Sequence, residues 1–493
     1  MLLSLDSDGP LQQQAYRALR AAIMRGAWQG GARIPSSRLL ASELRLSRNT
    51  LLAALEQLRS EGYLTARPRS GLYVVHELPE ALLRAQTGPR PAASSAAIDG
   101  RLRLSKVGRG LVPHAAASWE LPRVAGVIDF RYGEPAYRDL PIEHWARLLS
   151  RTVRKAQLRE LSYRAPGGHP ELRAALASYL ARARGVRCMP EQVIVTSGSQ
   201  QAIDLCARVL LDPQDRVALE DPHYPGFRLA FALTRARIVG IPVDDQGLIV
   251  ERLRRQRGVR LVCVTPSHQF PTGVVLTAAR RVALIDWARR HDAFVIEDDY
   301  DSEFRYAGLP LESLQGRDAH GRVLYVGTFS KLLFPALRLG YLVVPEALVP
   351  AFLVAKAAAD TGTPGLEQAA LAQFIQTGDL ERHLRKTRLR SAARRSTLMA
   401  ALGRCLGERA HVPGAAAGLH VWLNLPHLPP SAADALRQAG LQHGVSVHPS
   451  RNCHLKPPSC AAFVLGYANL SPAQIELGVE RLARALGDLS APR

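Results

Sequence analysis

Lys331 sits in VGTFSKLLFPALRLGYLVVP (residues 326–345), between a strand-like apolar run and a proline-punctuated turn, with Thr328 and Ser330 before it and Arg338 after it. A lysine at a strand end is most often a solvated charge, so its meaning depends on its neighbours. An amine held at the lip of a core can form a Schiff base with a carbonyl, and hydroxyls with a guanidinium are phosphate ligands. Upstream, VIEDDYDSEFRY places carboxylates at the end of a buried strand, where they are costly unless a cation meets them. TSGSQQ (196–201) puts small and hydroxyl residues between a strand and a helix start, and such a turn can cup a phosphate with backbone N–H groups and the helix dipole. EDPHYPG (220–226) offers Tyr224 as a ring that can stack, and TPSHQFPTG (265–273) ends another strand in polar residues. One cofactor needs an amine, a carboxylate for a protonated pyridine nitrogen, a stacking ring and a phosphate cup together: pyridoxal 5′-phosphate (PLP).

These motifs fall at the ends of an alternating pattern. Strand QVIVTS leads into helix QQAIDLCARVLL, and strands RVALED, LVCVTP, FVIEDD and VLYVGT follow, with a helical YRAPGGHPELRAALASYLARARG ahead of them. Strands alternating with helices predict an α/β domain with a mainly parallel sheet. Ligands in such sheets sit outside the carboxyl ends of the strands.

The N-terminus is built differently. PLQQQAYRALRAAIMRG predicts an amphipathic helix, SSRLLASEL a second, and SRNTLLAALEQLRSEG a third capped by Ser47; YLTARPRSGLYVV then reads as two short strands around a basic turn. Three helices and a hairpin make a winged helix-turn-helix over residues 1–77. Ser47, Arg48, Asn49 and Thr50 open the third helix, where a recognition helix meets base edges and phosphates. Arg38 can reach the backbone or a base, and Arg67 and Arg69, beside flexible Gly71, suit phosphate or minor-groove contact.

From 78 to 119 the composition shifts to Ala, Pro, Ser, Gly and Arg without an apolar period, which predicts a flexible linker. About 40 such residues reach roughly 35 Å, comparable to one ~34 Å turn of DNA. The remainder spans 120–493. The chain carries 64 Lys+Arg against 43 Asp+Glu, a net +21, which supports a polyanionic partner. Its six scattered cysteines form no CxxC and no zinc spacing, so no metal site is expected; they read as reduced thiols of a cytoplasmic protein. The first residues carry Asp6 and Asp8 rather than an apolar signal, and no stretch predicts a membrane span.

ARIPSSRLLASELRLSRNTLLAALEQLRSEGYLTARPRSGLYV resembles the winged helix of the GntR family of bacterial regulators. The later motifs, in this order, resemble fold-type I aminotransferases, and the fusion resembles the MocR subfamily of transcriptional regulators. That resemblance implies that Lys331 forms the internal aldimine, Asp298 pairs with the pyridinium nitrogen, Tyr300 bonds the ring hydroxyl and Tyr224 lies against the ring. Ser197, Gly198, Ser199, Gln200, Thr328, Ser330 and Arg338 would line the phosphate cup. Tyr163 matches the tyrosine that reaches a neighbour's phosphate, which implies a homodimer and two DNA half-sites. One departure stands out: Phe270 precedes Pro271 where the enzymes carry Asn, so the ring-hydroxyl contact must come from His268, Gln269 or Tyr300. The form HQFPTG is shared with MocR proteins. The expected function is a PLP-dependent regulator that binds operator DNA and senses a small amine, an amino acid or PLP; the alternative is an active aminotransferase carrying a DNA-binding domain. The late stretch CAAFVLGYANL has no arginine to clamp a substrate carboxylate, which leaves Arg451 as a replacement or an effector without that group.

Overall fold

The computed structural model describes residues 3–68, 70–78, 104–112, 124–157, 161–308, 311–414 and 417–490. It divides into two compact units, Met1–Arg103 and Leu104–Arg493.

In the first unit, helices α1 (Leu11–Met24), α2 (Ser37–Leu44) and α3 (Arg48–Ser60) precede the antiparallel strands β1 (Leu64–Arg67) and β2 (Gly71–Val74). Two serines set the helix starts: Ser36 Oγ accepts from Leu39 N at 3.3 Å and Ser47 Oγ from Thr50 N at 3.1 Å, each satisfying an otherwise orphaned N–H. Arg45, at φ 52°, ends α2 in the left-handed region and turns the chain into α3. Leu19, Leu40, Leu51, Leu55, Leu58 and Val74 form the core. Leu51 and Leu58 are fully buried, so truncating either to Ala costs about 2–5 kcal/mol.

Within the segment expected to be a linker, Lys106–Leu111 is helical; Ser105 Oγ caps it by accepting from Gly108 N at 3.0 Å, and it packs against the Pro225–Thr234 helix. Linker residues 79–103 and 113–119 lie outside the described residues.

The first strand of the second unit is the short β3 (Ile128–Asp129). Its main sheet has eight strands: β4 (Val193–Thr196), β5 (Arg216–Asp221), β6 (Arg237–Asp244), β7 (Gly247–Leu248), β8 (Val259–Val264), β9 (Phe294–Asp299), β10 (Val323–Thr328) and β11 (Gly340–Val343), in the order β4-β11-β10-β9-β8-β5-β6-β7. Strands β10, β9, β8, β5 and β6 are parallel; β11 runs antiparallel between β10 and β4, and β7 is an antiparallel edge. Alternation sorts the strand side chains. Ile194, Leu219, Ile296, Leu324 and Leu342 pack with Ile203, Phe227 and Phe352 of helices Ser199–Leu210, Pro225–Thr234 and Val349–Asp360. Val193, Val195, Tyr325 and Tyr341 pack with helices Pro170–Arg184 and Gly365–Gln376, and Val262 and Val295 with helix Ala278–Arg290. The result is a doubly covered α/β sheet, as a near-continuous apolar strand pattern demands. The predicted helix over 163–185 is shorter, because Pro170 takes its first position and Gly185 its left-handed end.

A second, smaller sheet lies towards the C-terminus: β12 (His420–Leu425), β14 (His448–Pro449) and β15 (Ala461–Gly466), in the order β12-β15-β14, while β13 (Val445–Ser446) pairs with β3. Among the described residues no helix is long and apolar enough to cross a membrane.

Candidate cofactor site and DNA-binding face

The pleat of β9 and the turn after it decide what each carboxylate of VIEDDYD does. Glu297 faces the backbone N–H groups of Leu314 and Gln315, at 2.9 and 3.0 Å. Asp299 accepts from Arg184 Nε at 2.7 Å and from Tyr325 OH, both deeply buried. Asp301 meets His268 Nδ1 at 3.0 Å. Asp298, alternating to the other side of the strand, is only 4% exposed, and its Oδ1 has no hydrogen-bond partner among the described residues. Burial, reinforced by Asp299 and Asp301 and opposed by Lys331, pushes the Asp298 carboxyl up to about 7.

Lys331 follows β10, the parallel neighbour of β9, so the two strand ends bring amine and carboxylate into one field. Its Nζ donates to the carbonyl of Gly133. Burial holds the amine down to about 8, against the pull of Asp301, Asp298 and Glu134. A lysine that loses its proton near neutral pH is a competent nucleophile.

Around this pair lie residues expected from the sequence to line a phosphate cup. Gly198 has φ +94°, and a Cβ there would lie 3.2 Å from Arg338 Nη2, so glycine is what lets the guanidinium close over the turn. Arg338 donates to the Ser197 carbonyl at 2.6 Å, and Ser199 opens the following helix, whose first N–H groups lack intrahelical partners. Thr328 Oγ1 accepts from Ser330 N at 3.1 Å and so shapes the turn before Lys331. Behind the cup stands a network that the motifs did not reveal. Gln201 Oε1 accepts from Ser197 N at 2.8 Å, Gln201 Nε2 donates to Asp360 at 2.9 Å, and fully buried Lys356 pairs with Asp360. Only the distance in sequence hid it.

Tyr224 caps helix Pro225–Thr234 and packs edge-on against Phe270, with ring centroids 5.7 Å apart. A Cβ on Gly226 would fall 2.3 Å from the Tyr224 ring and 2.4 Å from Gln200 Oε1, so a side chain at 226 would displace both. Gln200 is partly engaged in this turn: its Nε2 donates to the Gly226 carbonyl at 2.9 Å, while its Oε1 has no partner among the described residues. Of the three residues expected to supply a ring-hydroxyl contact, Gln269 is consumed. Its amide nitrogen bonds Glu220 and the carbonyls of Pro222 and Phe270, and its oxygen accepts from Thr272. His268 Nδ1 is occupied by Asp301 and lies 2.9 Å from Tyr300 OH, and that hydroxyl donates to the His268 carbonyl at 3.0 Å, which leaves the Tyr300 oxygen able to accept a further bond. His268, Asp301 and His420 have ligand atoms within 4.8 Å of one another, but hydrogen bonds account for that arrangement, His420 Nε2 meeting the Pro271 carbonyl at 3.1 Å. Tyr163 is 93% exposed and contributes nothing to its own chain's pocket. Arg451 is also at the surface, paired with exposed Asp434, and does not join the pocket as a carboxylate clamp.

In the first unit, Ser47, Arg48 and Asn49 are exposed at the start of α3, with Thr50 half-buried, and Arg38 is exposed on α2. The Ser47 and Thr50 hydroxyls bond each other at 2.7 Å, so both serve the cap. On the wing, the Arg67 guanidinium lies 4.3 Å from the Tyr73 ring centroid, which pre-orients the cation. Arg69 lies outside the described residues. Gly71, at φ +113°, sits against the guanidinium of Arg33, 3.2 Å from where a Cβ would be, and Arg33 bridges to Tyr73. Arg33 is thus a wing residue that sequence spacing, four residues ahead of a helix, did not suggest.

An unpartnered buried carboxylate, a near-neutral lysine and a glycine-backed helix start define a PLP-holding α/β domain, joined here to a winged helix. Residues 125–482 match the family of aminotransferases class I and II, and residues 11–74 the bacterial regulatory proteins of the gntR family. The chain is 36% identical over 98% of its length to the "Probable rhizopine catabolism regulatory protein MocR" of Rhizobium meliloti, covering 95% of that protein. It is 32% identical over 98% to the HTH-type transcriptional regulator TauR of Rhodobacter capsulatus, again covering 98%. The solved kynurenine aminotransferase of Pyrococcus horikoshii, in complex with PMP, superposes with a TM-score of 0.70 at 28% identity, covering 80% of this chain and 96% of the other. The chain belongs to the class I and II aminotransferase family, carries a gntR-type DNA-binding domain and is a MocR-type transcriptional regulator.

Proposed function

We propose that this regulator binds operator DNA as a homodimer and senses a small amine, an amino acid or PLP through its aminotransferase-like domain, in the cytoplasm. The observation that carries the reading is the buried Asp298 Oδ1 without a partner, in the field of Lys331. Lys331 would hold the cofactor covalently, Asp298 its ring nitrogen, Tyr300 its ring hydroxyl, and Tyr224 its face. Ser197, Gly198, Ser199, Thr328, Ser330 and Arg338 would surround the phosphate, with Tyr163 reaching the partner's cup. When bound, PLP supplies an electrophilic carbonyl carbon that captures primary amines. The chain's own work is positional: Asp298 keeps a ring nitrogen protonated, Arg338 and the helix start neutralise phosphate, and Lys331 is kept poised to lose its proton. Six free cysteines and the gntR-type domain support a reducing compartment.

On the DNA side, α3 enters the major groove with Arg48 at base edges, while Arg38, Arg67 and Arg69 serve the phosphates. Arg48→Ala should cost about 1–3 kcal/mol on the operator and relax preference at one position, whereas Arg67→Ala should weaken operator and random DNA alike and lower the salt slope by about 1. Mobility shifts across salt concentrations check both; equal losses on both DNAs for Arg48→Ala would reassign it to the backbone.

The overall reading is tested by operator mobility shifts of the PLP-loaded protein on one and two half-sites, with and without added amines, beside an assay of amino-group transfer. Two half-sites should bind far more tightly than one. Amines should change operator affinity or footprint with no sustained turnover. Steady turnover with DNA binding indifferent to amines would favour the aminotransferase instead.

A further inference from the structure

We infer that the pocket beside Lys331 accepts a primary amine whose far end is uncharged and discriminates against one that ends in a carboxylate. The inference rests on the reading of Lys331 and Asp298 as cofactor residues. It comes from one face of the small sheet. Trp422 of β12 and His448 of β14 are both register partners of Val464 on β15, so the three side chains share a side. The residues two positions away, His420 and Ala462, share it as well. The opposite face, with Val421, Leu423, Phe463 and Leu465, belongs to the domain core.

The Trp422–Val464 side instead packs with Phe270 and Cys453 and is bordered by Tyr132, Tyr224 and Tyr300. Two of those tyrosines are the cofactor residues, so this apolar cluster continues from the cofactor floor as the wall a bound amine would meet. Val464 is completely buried, and Trp422 and Ala462 nearly so. Gly466 carries the chain of Arg131 and Tyr132 directly across the sheet, since a Cβ there would lie 2.1 Å from the Arg131 carbonyl oxygen.

Among the described residues the charged groups near this wall are already matched, and His223, whose ring nitrogens have no partner, is held neutral by burial, its imidazole lowered to about 3. His448 Nε2 and Asp129 share a bond of 2.6 Å, and the same carboxylate accepts from Arg131 Nε at 3.0 Å, so that guanidinium is neutralised. His268 is taken by Asp301. Burial holds the His420 imidazole well below its ordinary range, so it is neutral and bonds a carbonyl. Arg338 closes on Ser197 at the phosphate end, and Arg451 points to Asp434 at the surface. A carboxylate brought against this wall would lose its hydration without gaining a cation from the described residues, whereas an alkyl or aryl end gains burial.

The test is a titration of the PLP-loaded full-length protein, followed by the visible cofactor band and by calorimetry, with amines paired by the presence of a carboxylate: 2-phenylethylamine against L-phenylalanine, and n-butylamine against γ-aminobutyrate. Each plain amine should act at concentrations at least about 10-fold below its carboxylate partner, the direction set by desolvating an unpaired charge. Val464→Arg should narrow or reverse that ratio while leaving the amine-free band in place. If the wild-type protein takes either carboxylate as readily as its plain amine, through an arginine of the partner subunit or otherwise, the inference is overturned, and so it is if no amine perturbs the band. Those comparisons stand even if Val464→Arg does not fold. A protein that shows no band after PLP addition overturns the cofactor reading itself, and the inference with it.

Discussion

Lys331→Ala protein, purified with PLP and treated with borohydride, should carry no covalently fixed cofactor, while wild type retains a stable adduct that peptide mass spectrometry places on residue 331. The expected loss is complete, because the reaction needs an amine at that position and no other described lysine shares its surroundings. Lys356, which is fully buried, is locked to Asp360 behind the 196–201 turn and bonded to Thr363 at 3.0 Å. Lys331, by contrast, bonds only a backbone carbonyl and is held down to about 8 by burial. The substitution should leave the fold intact: it removes a buried charge whose partners are carboxylates acting at a distance and whose hydrogen bond goes to a carbonyl that water can satisfy. Unchanged circular dichroism with loss of the adduct is the expected pair of results. An adduct that persists in Lys331→Ala would move the attachment to another lysine and undo the assignment.

Why that lysine was legible in the sequence, and other parts of the site were not, follows from what a strand end shows in one dimension. Lys331, Asp298, Tyr224 and the 196–201 turn each close an apolar run, and parallel strands gather their carboxyl ends on one edge, so the four could be grouped before any fold was known. The same reasoning could not separate Asp298 from Glu297, Asp299 and Asp301 by chemistry alone. Strand pleat and the long-range partners Arg184, Tyr325 and the Leu314 amide do that, and those partners lie on other elements. Gln269 looked like a ligand because it sits beside His268 in a polar turn; in space its amide closes that turn onto Glu220 and Pro222. The Lys356–Asp360–Gln201 network had no local mark, since its members are ordinary helix residues that meet only when two helices pack on the same face of the sheet. The winged helix was clearer, because serine caps, a left-handed turn and a hairpin are local features; only Arg33, which joins the wing through a single bridge to Tyr73, escaped. The small C-terminal sheet was the least visible element, because its strands are short and separated by long connections.

Asp298→Asn should weaken PLP binding and at the same time stabilise the cofactor-free protein, a combination that a merely structural carboxylate would not give. The folded carboxyl sits at about 7 against an ordinary 3.8, so between those values the folded state holds a proton that the unfolded chain has released. Stability of the cofactor-free protein contributed by this group therefore falls as pH rises from about 4 to about 7, by at most roughly 4 kcal/mol. Lys331 acts in the opposite sense and higher up: its folded value of about 8 lies below 10.5, so its penalty is complete below pH 8 and is relieved as pH rises towards 10.5. The empty pocket is thus at its least stable between about pH 7 and 8, where both charges are present and Oδ1 lacks a donor. A protonated ring nitrogen would satisfy that oxygen and reverse the cost, which would couple cofactor uptake to folding. Asparagine removes the charge, so the Tm of the cofactor-free variant should exceed wild type at pH 7.5 and match it near pH 4. It cannot hold the ring nitrogen protonated, and losing a charged hydrogen bond worth about 1.5–3 kcal/mol should weaken PLP roughly 10- to 150-fold. Thermal melts at the two pH values with PLP titrations measure both effects. A variant whose melt is lowered at pH 7.5, or whose PLP affinity is unchanged, would show that Asp298 is a structural carboxylate and not the partner of a ring nitrogen.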